Sequence, residues 1–249
     1  MFDYNKRTYI MGILNVTPDS FSDGGKFNSV DEALKHAIKM VEEGADIIDL
    51  GGESTRPGHI YVDVDYVDVD EELKRVIPVV KKLKEELDTP ISVDTYKAKV
   101  ADESLKLGAE MINDIWGLRK DKDMANVIAK HNAYVCIMHN QDGTEYDKDI
   151  IESIKEFLLE SVDIAIEAGI DKNKIVLDPG IGFGKTYEQN LEVLKRLGEL
   201  KTLGYPILLG TSRKSVIGNT LNLPPQERVE GTIATTVLGI RDGVDIVRV

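Results

Sequence analysis

Short apolar runs of strand length alternate with amphipathic stretches of helix length along the whole chain, and this alternation is what most limits the fold. The strand-like runs are Tyr9–Val16, Ile47–Leu50, Ile91–Asp94, Met111–Ile115, Ala133–Met138, Ile175–Leu177, Ile207–Leu209 and Asp245–Val249. Helical stretches are predicted between them at Asp31–Glu43, Glu71–Leu87, Lys97–Leu107, Asp123–Lys130, Ile150–Glu167, Gln189–Leu203 and Glu227–Arg241. Near-continuous apolar strands imply burial on both faces, as in a parallel sheet. Gly44, Gly108, Gly169, Gly204 and Gly243 each fall between a helix and the next strand, where a C-cap glycine belongs. Eight strand-like runs with seven helical stretches between them in 249 residues, with no linker, predict one α/β domain over residues 1–249, a (β/α)8 TIM barrel. No helical stretch follows the eighth run, so the closing helix is expected beyond residue 249.

Charge narrows the partners. The formal net charge of −13 argues against general affinity for nucleic acid or an anionic membrane. An anionic small substrate stays open, because a local group of Arg and Lys can dominate a pocket. No apolar stretch is long enough to span a bilayer, and residues 1–7 carry no signal-peptide pattern. A cytoplasmic protein is expected. The single cysteine, Cys136, lies in an apolar run; it excludes an intramolecular disulfide, fits a reducing compartment and reads as an inert buried thiol.

In barrels of this type the site lies where strands run into the following loops. Those positions are Asn15, Glu53 to Arg56, Asp94, Asn113, His139, Asp178, Ser212 to Lys214, and Arg248. Loop entries are often polar simply to cap helices. Asp94, Asn113 and Asp178 are harder to dismiss, because they directly extend apolar runs where a lone carboxylate is costly. Two carboxylates and an amide suit a ligand rich in N–H donors and ring acceptors, such as an aminopyrimidinone edge. Acid–base catalysis is the competing use of the same groups, and spacing does not separate the two. Arg56, Arg213, Lys214 and Arg248 gather at the same end and, with Asn15, could hold a phosphate or diphosphate through a divalent metal.

Other patterns carry less. Gly180 to Thr186 ends like a phosphate-binding P-loop, but the required first glycine is Pro179. Cys136 and His139 resemble half a metal site with no second pair. His36 and His131 lie in helical stretches and read as structural or solvated.

The segment Met11-Gly12-Ile13-Leu14-Asn15-Val16-Thr17-Pro18-Asp19-Ser20-Phe21-Ser22-Asp23-Gly24-Gly25 resembles the first signature of the dihydropteroate synthase family. Asp49 to Gly58 (Asp-Leu-Gly-Gly-Glu-Ser-Thr-Arg-Pro-Gly) resembles the second. Ser92-Val93-Asp94-Thr95, Ile112-Asn113-Asp114, Asp178 to Lys185 and Ser212-Arg213-Lys214-Ser215 follow in the family's order. The resemblance covers the whole chain. It implies a transferase of folate biosynthesis that joins 7,8-dihydropterin-6-ylmethyl diphosphate to p-aminobenzoate, giving dihydropteroate and diphosphate. It implies that Asp94, Asn113, Asp178 and Lys214 bind the pterin, that Met138 and Phe183 line the pocket, and that Arg248 packs on the ring and reaches phosphate. Asn15 would meet Mg2+ or the diphosphate, and Thr55 the diphosphate. Phe21, Thr55, Arg56, Pro57, Phe183, Lys214 and Ser215 would form the p-aminobenzoate pocket, with the loops around Phe21 to Gly25 and Thr55 to Gly58 closing over it. Asp23 would stabilise a cationic methylene left by departing diphosphate, in a dissociative, SN1-like reaction with Lys214 and Arg248 as its other catalytic groups. A homodimer is what the family suggests.

Two features depart from the family. Its last strand usually reads Arg-x-His, and the histidine position falls after Val249. Tyr61 to Asp65 (Tyr-Val-Asp-Val-Asp) is repeated identically as Tyr66 to Asp70, making this stretch about one unit longer than the family's spacing. Because the repeat follows the Thr55–Gly58 loop, it is expected to weaken binding of sulfonamides, which occupy the p-aminobenzoate site in this family. Harmless loop variation is the alternative. A methyltetrahydrofolate:corrinoid methyltransferase would share Asp94, Asn113 and Asp178 but has no use for the Asn15–Gly25 loop or the Ser-Arg-Lys-Ser motif. A non-catalytic pterin-binding barrel is the third possibility.

Overall fold

The computed structural model describes residues 2–4, 6–16, 26–53 and 67–249. Eight strands form one parallel sheet: β1 Tyr9–Asn15, β2 Ile47–Gly51, β3 Ile91–Asp94, β4 Met111–Asp114, β5 Tyr134–Met138, β6 Ile175–Asp178, β7 Leu208–Gly210 and β8 Ile246–Arg248. Neighbours run in the order β6-β5-β4-β3-β2-β1-β8-β7. A parallel bridge between Leu177 and Ile207 joins the two outer strands, so the sheet closes on itself. This is the expected (β/α)8 barrel.

The helices are α1 Lys26–Glu42, α2 Val69–Glu86, α3 Ala98–Lys106, α4 Met124–Lys130, α5 Ile150–Glu167, α6 Tyr187–Lys195, α7 Ser215–Leu221 and α8 Val229–Arg241. They pack through Val76, Val79, Val80, Leu83, Val100, Ile128, Ile154, Leu158 and Val193 onto the outward side chains of the strands. Three elements differ from the sequence expectation. Helix α1 begins five residues earlier than Asp31. The helix predicted over Gln189–Leu203 stops at Lys195, and residues Leu197–Leu203 wind as a tighter 3-10 segment ending on left-handed Gly204. Helix α7 was not anticipated, because Ser215–Leu221 is only seven residues long and contains Gly218, Asn219 and Thr220, all poor helix formers.

Strand side chains alternate between the helices and the barrel interior. Met11, Ile47, Met111, Cys136, Val176, Leu208 and Ile246 form one interior apolar layer, closed from below by Phe2, Tyr4, Tyr9 and Tyr134. Cys136 is fully buried there, and burial raises its thiol pKa well above the usual range. This matches an unreactive packing residue. Two residues further along several strands the interior turns polar: Asp49 follows Ile47, Asn113 follows Met111, Asp178 follows Val176 and Arg248 follows Ile246.

Candidate active site

The polar layer is bound together by one cation. Arg248 Nε donates to Asp49 Oδ2 at 2.6 Å and Nη2 donates to Asp94 Oδ2 at 2.8 Å. Asn113 Nδ2 donates to the same Asp49 oxygen at 3.1 Å. Burial pulls the Arg248 guanidinium's pKa down, but the Asp49 and Asp94 carboxylates more than reverse this. The fork fixes Asp94 and Asn113 on adjacent strands, where Asp94 pairs in register with Asn113. Asn113 Oδ1 is buried without a protein partner, leaving an acceptor for a ligand donor.

Asp178 completes the acidic set at the end of β6. It is 5% exposed, and its Oδ1 accepts the Gly180 N–H at 2.7 Å. Burial raises its pKa, opposed by Lys214 and by the Gly180 hydrogen bond. Lys214 reaches in from the turn after β7. Its ammonium donates to the Ile181 carbonyl and lies 4.6 Å over the Phe183 ring. The surrounding protein lowers its pKa to about 8, with Asp178 pulling the other way. Met138, Phe183 and Ile115 form a small apolar wall, with Tyr96 and Trp116 packed against it. Acceptors, a cation and an apolar wall thus gather at the C-terminal ends of the strands.

Asn15 ends β1 half-buried. A Cβ placed on Gly51 would lie 3.3 Å from Asn15 Oδ1 and 3.8 Å from Asp94 Cβ, so Asn15 stands beside the acidic layer. Ser215 is exposed at the start of α7. Phe21, Asp23, Thr55, Arg56 and Pro57 lie outside the described residues. So does Tyr61–Asp65, whereas the second copy of the repeat runs into α2: Asp68 is its N-cap and accepts the Glu71 N–H at 2.9 Å.

Several functional neighbours escaped the sequence reading. Asp49 is fully buried at the centre of the network. Its signal was available, since it interrupts Ile47-Ile48-Asp49-Leu50 just as Asp94 ends an apolar run. Lys97 Nζ donates to Glu53 and, at 2.5 Å, to Glu72, with all three side chains buried. One ammonium therefore joins the end of β2 to the first turn of α2. Burial raises the Glu72 pKa despite the Lys97 charge. His139 is not half of a metal site: its Nδ1 accepts from Lys185 Nζ at 2.9 Å. Burial and the Lys185 charge push its pKa down to about 2, so the ring is neutral. Among the described residues no three His, Cys, Asp or Glu side chains group as metal ligands.

Fold and site together define a (β/α)8 barrel with a buried polar layer at the C-terminal ends of its strands. The family model described as "Pterin binding enzyme" matches residues 11–249. A dihydropteroate synthase from Clostridium beijerinckii is 60% identical over 249 residues, covering 100% of this chain and 90% of that protein. Among solved structures, a dihydropteroate synthase from Clostridium difficile, determined in the presence of pteroic acid, superimposes with a TM-score of 0.96 at 73% identity, covering 100% of this chain and 92% of that one. The Yersinia pestis enzyme in a sulfonamide drug complex gives a TM-score of 0.90 at 45% identity, covering 99% and 90%. The chain belongs to the pterin-binding enzymes and, within them, to the dihydropteroate synthases.

Proposed function

We propose that this chain, as a single pterin-binding domain, condenses 7,8-dihydropterin-6-ylmethyl diphosphate with p-aminobenzoate, and that the pterin is read by Asp94, Asn113, Asp178 and Lys214. The carrying observation is the buried polar layer, in which Asn113 Oδ1 is left as an acceptor while Arg248 holds Asp49 and Asp94 in place. Asp178, fixed by the Gly180 N–H, accepts from the aminopyrimidinone edge. Lys214 donates to a ring heteroatom, and Met138 and Phe183 receive the ring faces. Entry of the pterin exchanges part of the Arg248–Asp94 contact for ligand contacts and frees the guanidinium to stack on the ring and reach phosphate.

Lys214, Arg248 and the exposed Arg213 give the mouth its positive charge despite the net charge of −13. Diphosphate departure is assisted by these cations, by Asn15 and by Thr55. The donor set fits Mg2+ only in part: Asn15 offers one hard oxygen, so the ion would arrive on the diphosphate and keep most of its water, as this ion prefers. When bound it neutralises charge developing on the leaving group. Asp23 then stabilises the methylene cation, and the weakly basic arylamine attacks without a strong catalytic base. The p-aminobenzoate pocket is assigned to Phe21, Thr55, Arg56, Pro57, Phe183, Lys214 and Ser215. Dihydropteroate formed with matching diphosphate release when both substrates are present is the expected result; no dihydropteroate with both rejects this function. A corrinoid methyltransferase or a non-catalytic barrel gives none.

The duplication lengthens the connection between β2 and α2 while Lys97 and the Asp68 cap hold its two ends. The added length therefore falls between Glu53 and Asp68, next in sequence to the Thr55–Pro57 segment assigned to p-aminobenzoate. Deleting Tyr66–Asp70 is expected to lower the sulfonamide inhibition constant relative to the p-aminobenzoate KM; an unchanged ratio rejects the idea. Helix α8 exposes Val229, Ile233, Val237 and Ile240 at helical spacing, a stripe suited to a homodimer interface. No described helix is long and apolar enough to cross a membrane, which fits a cytoplasmic enzyme.

A further inference from the structure

The lysine that makes Gly180–Thr186 look like a phosphate-binding loop points inward. Lys185 is 8% exposed. Its ammonium donates to His139 Nδ1 at 2.9 Å, to the Gly180 carbonyl at 3.0 Å and to the Phe183 carbonyl at 2.9 Å. An ammonium has three N–H donors, so all three are used within the protein and none is left for a phosphate.

The partners matter because of what lies next to each. Gly180 offers its carbonyl to Lys185 and its N–H to Asp178 Oδ1. Phe183 offers its carbonyl to Lys185 and its ring to Lys214. His139 follows Met138 and donates its own N–H to the Asp178 carbonyl at 2.9 Å. Lys185 thus ties together the backbone that carries Asp178, Phe183 and Met138. Gly180 has φ +69, and a Cβ there would fall 1.9 Å from the His139 carbonyl oxygen. The turn is therefore pressed against the end of β5, and the lysine supplies the polar contacts in that crowded space.

We propose that Lys185 is a positioning residue for the pterin: through His139, Gly180 and Phe183 it sets the Asp178 carboxylate and the Phe183 ring, without touching substrate. This rests on the pterin pocket proposed above. Removing the ammonium leaves the Phe183 carbonyl and an imidazole nitrogen unpaired, while the Gly180 carbonyl keeps only the Phe183 N–H at 3.0 Å; a folded protein relieves this by shifting the turn. Pterin affinity should suffer more than turnover once the pocket is filled.

Calorimetry with 6-hydroxymethylpterin, which carries neither diphosphate nor arylamine, reads the pterin pocket alone. Lys185→Met is expected to raise the Kd at least about tenfold while kcat at saturating substrates falls less than about threefold. A folded Lys185→Met protein with an unchanged Kd overturns the proposal, as does a loss of kcat with no change in Kd. Should Lys185→Met fail to fold, His139 carries the test. His139→Asn retains an acceptor near the place of Nδ1 and is expected to bind within about threefold of the parent, whereas His139→Leu binds more weakly than His139→Asn. Equal Kd values for these two variants overturn the proposal. A parent enzyme that does not bind the pterin rejects the pocket assignment itself, a result distinct from any difference among variants.

Discussion

The two interior layers of the barrel lie one strand-pleat repeat apart and are built on opposite principles. The lower layer, Met11, Ile47, Met111, Cys136, Val176, Leu208 and Ile246, is held by packing. The upper layer, Asp49, Asp94, Asn113, Asp178 and Arg248, is held by directed hydrogen bonds: Arg248 binds Asp49 and Asp94, Asn113 binds Asp49, and the Gly180 N–H fixes Asp178. Apolar contact is tolerant of direction, whereas buried carboxylates are costly unless their partners stand in place. The barrel thus has a floor that supplies stability and a ceiling that gives part of it up to hold ligand acceptors ready.

Breaking the upper layer should have the largest effect. Arg248→Met leaves Asp49, fully buried, beside Asp94 without its cation. A loss of about 3–5 kcal/mol is expected, read as a fall of about 10 °C in Tm, together with loss of turnover. A smaller loss than in Met111→Ala would contradict the division between layers. Met111→Ala opens a cavity in the floor and is expected to cost about 2–4 kcal/mol, with both substrate KM values unchanged in the folded enzyme. Asp178→Asn tests the ceiling without a cavity: kcat/KM for the pterin diphosphate should fall about a hundredfold, and denaturant stability should hold within about 1 kcal/mol. The mildest probe is pH. Lys214 is protonated below a pKa of about 8 and neutral above it, so kcat/KM should decline as pH rises through about 8. Lys214→Arg should move that limb upward, because guanidinium stays charged; an unmoved limb would assign the titration to another group.

The layers were not equally legible in the sequence. The alternation of strand and helix lengths located all eight strands to within two residues, since burial on both faces leaves continuous apolar runs. Asp94, Asn113 and Asp178 were visible because they terminate such runs. Asp49 left the same kind of signal but was passed over, because it interrupts a run that Leu50 resumes instead of ending one. The inward turn of Lys185 could not be read either: its partners are two carbonyls from its own turn and a histidine 46 positions away, and none of these leaves a periodic trace. The break after Lys195 was missed because apolar spacing continues through Leu197, Leu200 and Leu203 in both helical forms. The lysine bridge between Glu53 and Glu72 joins three segments, and only the closed barrel brings them together.

The cap of α2 has a consequence for the repeat that contains it. Asp68 caps the helix from the third place in its copy of the repeat, and Asp63 holds the third place in the other. Removing either unit leaves the same protein, with an aspartate still three residues ahead of Glu71. Copy number is therefore uncoupled from the helix start. Gain or loss of a whole unit changes the connection by five residues, and each product keeps the aspartate that caps α2.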